Sequence, residues 1–386
     1  MKPRIFFHVQ HLLGIGHLRR AATLARCLAA GGFDVLLVSG GAPVDGLALG
    51  EARLHQLPPV RAADDGLRDL VRLDGGPVDA GFERDRAGRL LALLRAEQPD
   101  IVLTEQFPFG RTRLHFELAP LLEAARELPR RPLVACSVRD IVRRTVRAER
   151  VAETVRLIER HYDAVLIHAD PTLVPFEASF AGWPHIKERA HYTGYVAEQD
   201  VTGPPESDAG CDEVIVSAGG GAVGAGLLEA AIAARPATAL TDRRWRLLLG
   251  ANLPDACRAR LAAATGAAMG GIVAEPARSD FTTLLRNAAL SISQAGYNTT
   301  IETLCCADRA VLVPFATARE TEQADRAGLL AARGMVATVE PGTLSPRSLA
   351  DAVAHALAGP SLRSFPACDA GGAEATVGLL HRLSRR

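Results

Sequence analysis

Residues 290–334 run LSISQAGYNTTIETLCCADRAVLVPFATARETEQADRAGLLAARG, and they are the most informative part of the sequence. Its pattern predicts a short apolar strand over Leu290–Ser293, a Gln-Ala-Gly turn, and a helix that opens near Asn298. A second strand is predicted over Arg309–Phe315, followed by a polar loop and a second helix that begins near Glu320. Both strand-to-helix junctions then fall at the carboxyl edge of a parallel sheet, which is where open α/β sheets bind ligands.

The same junctions carry acid and amide side chains. Glu302 falls early in the first predicted helix, and Glu322 and Gln323 fall at the start of the second. Carboxylates accept hydrogen bonds and amides both donate and accept them, so together they can bind the hydroxyl groups of a sugar. The stretch therefore predicts a nucleotide-sugar site.

The composition fits an enzyme with two domains and excludes several other classes. The chain has 386 residues, 48% of them hydrophobic, which is enough for two separate cores. Lys+Arg and Asp+Glu both number 44, and this balance argues against a nucleic-acid partner. No apolar run is long enough to form a transmembrane segment, which leaves only peripheral membrane contact open. The 7 cysteines lack a framework spacing, which favours a reduced, cytoplasmic setting.

Both halves of the chain begin with a strand, a glycine turn and a helix. We expect an N-terminal domain over residues 1–200, a linker over 201–212, a C-terminal domain over 213–370, and a helix within 371–386 that could pack on either domain. Alternating strands and helices predict an α/β fold with two Rossmann-like, doubly wound domains. Because domain interfaces are favoured ligand sites, we expect the site in a cleft between the facing carboxyl edges.

The remaining elements follow from hydrophobic periodicity. Predicted strands are Arg4–Val9, Val35–Val38, Ile101–Leu103, Leu133–Cys136, Ala164–His168, Glu213–Ser217, Trp245–Leu249 and Gly271–Ala274. Predicted helices are Leu18–Ala30, Arg84–Glu97, Leu118–Glu127, Glu149–His161, Leu227–Ala234 and Ala375–Leu383. Residues 41–82 are rich in Gly, Pro and Asp, which predicts a short strand and a variable loop.

The turn GGGAVG at 219–224 satisfies the G-x-G-x-x-G pattern of dinucleotide sites. Such sites also need an acid at the end of the second strand to hold a ribose, but Gly250, Ala251 and Asn252 stand there. We therefore set an oxidoreductase aside. Glycines still expose backbone N–H groups at a helix N-terminus, where they can hold a diphosphate, although they can also simply tighten the turn.

His17 lies where the first glycine turn becomes a helix, so its imidazole should face the cleft. A neutral histidine there can take a proton from an acceptor hydroxyl, although histidines near strand ends also serve as packing or capping residues. Glu105 follows another strand toward the same edge and could orient His17; a helix cap or a salt bridge is an equal alternative.

Two more residues of the N-terminal domain are candidates for binding phosphate or acceptor. Arg139 follows a predicted strand, where its cation could face an anion, although Asp140 beside it could neutralise it. Gly16 lies in the GIGH turn that precedes the first helix.

No metal site and no cofactor are expected. The chain has no H-E-x-x-H, C-x-x-C or compact D-x-D motif, and the pair Asp64-Asp65 fits a solvated loop. If a diphosphate leaves during the reaction, helix N-termini and backbone amides must stabilise it.

Three segments resemble the C-terminal domain of glycosyltransferase family 28, the MurG-like group of GT-B enzymes. They are SAGGGAVGAG (217–226), DFTTLLRNAALSISQAGYNTTIETL (280–304) and the LVPF…ETEQADRAGLLAARG run that ends at Gly334. The first half is similar through GIGHLRRAATLARCLAAGGFDVLLVSGG (14–41) and TGYV (193–196). The resemblance covers most of the chain and is strongest over 280–334.

This resemblance implies a GT-B fold and an inverting, metal-independent transfer from a nucleotide-diphosphate sugar, by default a UDP-sugar, to an acceptor hydroxyl. By position, it implies that Gly219, Gly220 and Gly221 approach the diphosphate, that Gln294, Ala295 and Gly296 line its pocket, and that the main chain near Ile272 and Val273 meets the base. It also implies that Glu302 accepts the ribose hydroxyls, that Glu322 and Gln323 bind the donor sugar, and that His17 is the general base. Ala222 and Val223 stand where the family often has Ser and Gln, which argues against a peptidoglycan role.

Two other classes of function stay open at this point. A nucleotide-sugar epimerase or hydrolase on the same scaffold would turn over the donor without an acceptor. A binding module would bind nucleotide with no dependence on His17. The sequence does not determine the acceptor, the donor sugar, the nucleotide base or the oligomeric state.

Overall fold

The computed structural model describes residues 2–12, 14–63, 69–142, 147–219, 224–250, 253–267, 270–316 and 321–385. The chain forms two compact units. The first unit is Met1–Glu198 together with Asp369–Arg386, and the second is Gln199–Cys368. The C-terminal segment thus belongs to the first unit, and the segment 201–212 clusters with the second. The cleft expected between the domains stays a prediction.

The first unit is built on a parallel sheet. Its strands are β1 (Arg4–Val9), β2 (Asp34–Ser39), β3 (Arg53–Gln56), β4 (Val60–Ala62), β5 (Leu70–Arg72), β6 (Ile101–Glu105), β7 (Leu133–Arg139), β8 (Ala164–His168) and β9 (Ala190–Tyr192). Its helices are α1 (Gly16–Ala30), α2 (Ala80–Glu97), α3 (His115–Arg126), α4 (Ala148–His161) and α5 (Trp183–Ile186). In the described part of the chain, seven strands pair in the order β3-β2-β1-β6-β7-β8-β9, and β4 pairs with β5 alone. Residues 41–82 thus contain β3, β4 and β5 rather than one short strand.

Burial explains this sheet. In β1 all residues after Arg4 are buried, as expected of a central parallel strand covered on both faces. Helix α1 turns an apolar stripe to the sheet, because Leu18, Ala21, Ala25 and Leu28 are all buried in the core. The sheet therefore fixes the position of the turn between β1 and α1.

The second unit has the same architecture. Its strands are β10 (Val214–Ser217), β11 (Trp245–Leu249), β12 (Ile272–Pro276), β13 (Leu290–Ser293), β14 (Ala310–Leu312) and β15 (Ala337–Thr338). Its helices are α6 (Ala225–Ala234), α7 (Asp255–Ala267), α8 (Phe281–Asn287), α9 (Tyr297–Cys306), α10 (Glu322–Ala332) and α11 (Pro346–Ala358). Over the described residues the strands pair in the order β12-β11-β10-β13-β14-β15, all parallel. The last helix of the chain, α12 (Gly372–Ser384), belongs to the first unit.

The observed bounds of some strands and helices differ from the predicted ones. The strand predicted over Arg309–Phe315 is confined to β14, because Pro314 has no backbone N–H to continue the ladder. The strand predicted over Gly271–Ala274 is observed over Ile272–Pro276, and it begins one residue later because Gly271 adopts a left-handed backbone with φ 78°. The second helix of the opening stretch begins at Glu322, and residues 317–320, including Glu320, lie outside the described residues.

The C-terminal helix is tied to the first unit by specific contacts. The backbone N–H of Gly372 donates to the carbonyl of Tyr195 at 2.9 Å, next to a β-bridge between Val196 and Gly371. His381 Nε2 bonds the Gly31 carbonyl at the end of α1 at 2.8 Å. These contacts answer which domain α12 packs on.

Candidate active site

The first sheet reverses its strand order at β1, which has β2 on one side and β6 on the other. Ligands of open α/β sheets bind beyond the carboxyl ends of the strands at such a reversal. His17 is the second residue of the helix that follows β1, and Glu105 is the last residue of β6. The fold therefore brings these two predicted residues to one edge of the sheet.

The His17, Glu105 and Arg20 side chains form one hydrogen-bonded group. His17 Nδ1 lies 2.6 Å from Glu105 Oε1, and Arg20 Nη2 donates to the same oxygen at 2.5 Å. Glu105 and Arg20 are each 1% exposed, whereas the His17 side chain is 19% exposed. One carboxylate oxygen thus accepts hydrogen bonds from both a partly exposed histidine and a fully buried arginine.

This contact assigns the proton of the imidazole. An ionised carboxylate only accepts hydrogen bonds, so Nδ1 of His17 carries the hydrogen and donates it. In neutral imidazole the lone pair is then on Nε2. His17 is held in the tautomer that a general base requires.

The surroundings keep His17 neutral. Burial, followed by the Arg139 cation, lowers the pKa of His17 from 6.5 to about 3, although Glu105 opposes both. Burial raises the pKa of Glu105, but His17 and the cations of Arg20 and Arg111 outweigh it and hold that pKa below its usual value. At neutral pH the pair is a neutral histidine beside an ionised carboxylate.

Arg139 and Gly16 lie next to each other. Arg139 is the last residue of β7 and is half-buried. Its Nη2 atom would lie 3.5 Å from a Cβ atom placed on Gly16, the first residue of α1. The neighbouring Asp140 is buried, and its Oδ1 accepts the backbone N–H of Ile141 at 2.9 Å. A guanidinium thus lies beside the start of the helix that carries His17.

Sequence reasoning missed two features of this edge. Arg20 carries a signal that could have found it, because residues three apart on a helix share a face and Arg20 follows His17 by three. Gln106 and Arg111, in the loop after β6, have left-handed backbones with φ 66° and 61°. Such conformations are uncommon outside glycine and cluster at functional loops, but only coordinates reveal them.

The second sheet reverses its order at β10, between β11 and β13. Gly219 follows β10 with a left-handed φ of 69°, and its N–H lies 3.3 Å from Ser217 Oγ. Gly220 and Gly221 lie outside the described residues. Gln294 follows β13 and donates its N–H to the Ser217 carbonyl at 3.1 Å. The predicted turns 219–221 and 294–296 therefore begin side by side at the reversal.

The helix after β13 offers groups to a ligand at this reversal. The first turn of α9, which the structure describes completely, carries no acidic residue, so its N-terminus keeps its partial positive charge. The buried hydroxyls Ser293 Oγ and Thr300 Oγ1 have no hydrogen-bond partner among the described residues. These hydroxyls lie at the end of β13 and at the start of α9, and sequence reasoning did not single them out.

Glu322 and Gln323 start α10 and are each held by a contact. Glu322 Oε1 accepts a hydrogen bond from Arg326 Nη2 at 2.9 Å. Gln323 Oε1 accepts the backbone N–H of Phe315 at 3.1 Å, so its amide nitrogen remains as a donor. Arg326 Nη1 also donates to the Ala295 carbonyl, at 2.7 Å. This arginine, absent from the sequence predictions, links α10 to the turn 294–296.

The other predicted donor residues lie in two places. Glu302 is in the second turn of α9 and is 7% exposed. Ile272 and Val273 are the first two residues of β12, at its amino end, and Val273 is 36% exposed. Since the strand ends at Pro276, the structure does not bring these two residues to the carboxyl edge where the other candidates lie.

Three features are absent from the described residues. These residues contain no group of three or more His, Cys, Asp or Glu side chains that could hold a metal ion, and Asp64-Asp65 lies outside them. None of the seven cysteines forms a disulfide in the described structure. No helix that the structure describes is both long enough and apolar enough to cross a membrane.

Residues 266–370 match the family model described as Glycosyltransferase family 28 C-terminal domain. No curated protein sequence matches the chain. The structure is similar to MurG of Acinetobacter baumannii, with a TM-score of 0.60 and 20% identity over 98% of this chain and 100% of that chain. It is also similar to the spinosyn rhamnosyltransferase SpnG complexed with thymidine diphosphate, with a TM-score of 0.58 and 15% identity over 99% of this chain and 96% of that chain. A third similar structure is UGT2 of Phytolacca americana, complexed with UDP-2fluoro-glucose and pterostilbene. Its TM-score is 0.58 and its identity is 13%, over 100% of this chain and 94% of that chain.

These identities are too low to show more than the fold, and that fold is the GT-B arrangement of two parallel-sheet α/β domains. The predicted fold class is thereby confirmed. Residues 266–370, all but the last two of them in the second unit, match the glycosyltransferase family 28 C-terminal domain, which confirms the family that the sequence resembles. The protein is a glycosyltransferase.

Proposed function

We propose that the protein moves a sugar from a nucleotide-diphosphate sugar to an acceptor hydroxyl, with inversion and without a metal ion. The observation that carries this proposal is the contact of His17 Nδ1 with Glu105 Oε1 at 2.6 Å, at the reversal of the first sheet. This contact holds the neutral histidine in the tautomer that a general base needs. The His17 side chain is also partly exposed, so an acceptor can reach it.

The chemistry is a single displacement. Nε2 of His17 takes the proton of the acceptor hydroxyl as its oxygen attacks the anomeric carbon of the donor. The bond from that carbon to the diphosphate breaks, its electron pair leaves with the diphosphate, and the configuration at the carbon inverts. Glu105 stabilises the imidazolium that forms, and Arg20 keeps Glu105 in place.

The pKa of about 3 for His17 describes the site before substrates bind. A stronger base is needed during transfer, because proton transfer is most efficient when the pKa of the base lies near the working pH. A nearby anion raises the pKa of a histidine by favouring its charged form. We therefore expect the bound anionic substrate to raise the pKa of His17, and Arg139 beside Gly16 to be the residue that receives phosphate or acceptor.

The proposed binding of the donor rests on the point where the second sheet reverses its strand order, at β10. The diphosphate would bind near Gly219 and the N-terminus of α9, where backbone N–H groups and the helix dipole stabilise negative charge. Glu302 would accept the ribose hydroxyls, and the carboxylate of Glu322 with the amide of Gln323 would bind the sugar. The backbone N–H groups and the helix dipole, rather than a metal ion, would stabilise the leaving diphosphate.

UDP is the nucleotide we expect by default. Among the similar structures, UGT2 of Phytolacca americana is complexed with UDP-2fluoro-glucose and SpnG with thymidine diphosphate, so the fold accommodates both bases. A thermal-shift panel of UDP, GDP, TDP and their sugars discriminates among them, since a ligand at 100 times its Kd adds about 2.7 kcal/mol of stability. We expect the protein to act in the cytoplasm.

The test is UDP release from UDP-sugars in the presence of a panel of acceptors. His17→Ala should lower kcat by about two to four orders of magnitude and leave UDP affinity unchanged. Added EDTA should leave the rate unchanged, and the anomeric proton of the product should show inversion by NMR. Donor turnover without any acceptor would instead support an epimerase or hydrolase. Equal loss of turnover and UDP affinity in His17→Ala would mean that the histidine is structural.

A further inference from the structure

Arg326 is a buried cation at the donor edge. Its side chain is 1% exposed although it lies only one turn into α10. Nη1 donates to the Ala295 carbonyl at 2.7 Å and Nη2 donates to Glu322 Oε1 at 2.9 Å. The guanidinium carbon lies 5.8 Å from the centroid of the Tyr297 ring, at the first residue of α9. One side chain thus contacts the turn after β13, the start of α9 and the start of α10.

We propose that Arg326 is a positioning residue for the donor, one that holds the sugar-binding Glu322 and the diphosphate-binding turn 294–296 in a single geometry. This inference rests on the proposed function, because it assumes that Glu322 and this turn bind the donor. Arg326 itself needs no contact with the sugar.

The chemistry of guanidinium suits this role. Its N–H groups diverge in a rigid plane, so one arginine can donate to two acceptors in fixed directions at once, which the point charge of lysine cannot do. The contact with Glu322 is charge-assisted and is therefore stronger than a bond between neutral groups. A buried arginine without its carboxylate would be costly, so the two side chains constrain each other.

The position of Glu322 makes the constraint useful. Its side chain is 21% exposed, so a ligand can reach the carboxylate while Oε1 stays bonded to Arg326. Four residues separate Glu322 and Arg326, which places them on one face of α10. Gln323 is fixed separately by Phe315. Arg326 links Glu322, the proposed sugar-binding residue, to the turn 294–296 through its bonds to Glu322 and Ala295.

Binding measurements test this role, and they need no acceptor. The probes are UDP and UDP-glucose, with TDP and TDP-glucose as a second pair, titrated by calorimetry into wild-type protein and variants. We expect Arg326→Met to weaken the binding of the nucleotide sugar by about 10- to 100-fold and that of the free nucleoside diphosphate several-fold, because both the sugar side and the turn lose their anchor. Glu322→Gln should weaken only the nucleotide sugar. Arg326→Lys should fall between Arg326→Met and the wild type.

Arg309 provides a matched control in the same unit. It bonds the carbonyls of Ala356 and Gly359 and pairs with Asp308, but it precedes β14 at the opposite end of the sheet. Arg309→Met should lower the melting temperature without changing either affinity. A double variant of Arg326→Met and Glu322→Gln should bind the nucleotide sugar no more weakly than Arg326→Met alone, since coupled residues are not additive.

The outcomes separate this inference from the proposed function. If Glu322→Gln weakens the nucleotide sugar but Arg326→Met does not, or does so only as Arg309→Met does, the positioning role is wrong and the donor site stands. If Arg326→Met weakens the nucleoside diphosphate and Glu322→Gln changes nothing, Arg326 positions the turn and the proposed role of Glu322 is wrong. A wild-type protein that binds neither these four probes nor GDP and its sugars overturns both.

Discussion

His17 Nδ1 and Glu105 Oε1 lie 2.6 Å apart although 88 residues separate them along the chain. Neighbouring parallel strands, β1 and β6, end at the same edge and create this contact. The carboxylate does two things at once, because it fixes the tautomer of His17 and compensates the buried cation of Arg20. Function and stability are therefore coupled at Glu105.

Glu105→Gln should impair both catalysis and stability while leaving the donor site intact. We expect kcat to fall by about two to four orders of magnitude, because a glutamine no longer stabilises the imidazolium. The free energy of unfolding should also fall, by about 3 to 5 kcal/mol, because Arg20 loses its buried partner. Transfer assays and urea unfolding measure the two effects. Unchanged UDP affinity is the control, and a variant with wild-type kcat would contradict the orienting role.

The low pKa of His17 should make folding stability depend on pH. The folded pKa of about 3 lies below the unfolded value of 6.5, so between these values the unfolded chain binds more protons than the folded one. The contribution of His17 is complete above pH 6.5 and is lost as the pH falls, by at most about 1.4 kcal/mol per pH unit. Urea unfolding from pH 7 to 4 should show a flatter dependence for His17→Asn than for the wild type. Parallel curves would rule this out.

Arg139 should set the acid limb of the activity profile. After burial, its cation is the largest cause of the lowered pKa of His17, so Arg139→Gln should raise that pKa. The basic form of His17 is then lost at a higher pH, and the acid limb of kcat/KM should move upward in pH. Arg131 lies before β7, at the other end of the strand, and pairs with Asp163, so Arg131→Gln is the matched control. An unmoved limb in Arg139→Gln would show that His17 does not produce it.

The sequence predicted which polar residues the fold brings to the ends of its strands and the starts of its helices. Apolar runs and glycine turns predict the strands, and polar residues at strand ends follow from the rule for parallel sheets. His17 and Glu105 could be paired in this way because Glu105 ends one strand and His17 opens the helix that follows the neighbouring strand. The same logic placed Glu322 and Gln323 at the start of α10.

Other features depended on information that periodicity does not carry. The resemblance implied that the main chain near Ile272 and Val273 meets the base, but the observed strand extends to Pro276, which leaves these two residues at its amino end. Arg326 resembles any helical arginine in sequence, and only packing shows that it contacts the Ala295 carbonyl. Long-range contacts of polar side chains are set by tertiary structure, so local patterns could not predict them.

A substitution at Gly219 tests whether the turn after β10 binds the nucleotide. Gly219 has a φ of 69°, and no atom of the described residues lies within 4 Å of a Cβ placed there, so Gly219→Ala meets strain rather than a clash. We expect a loss of about 1 to 2 kcal/mol in stability and a turn that shifts to relieve the strain, which should weaken UDP binding. Gly334, with φ 70° and equal free space in the described structure, follows α10 at the far end of that helix. Gly334→Ala should lose similar stability and keep its UDP affinity, as measured by calorimetry and thermal unfolding. Equal UDP affinity in both variants would mean that the turn after β10 does not bind the nucleotide.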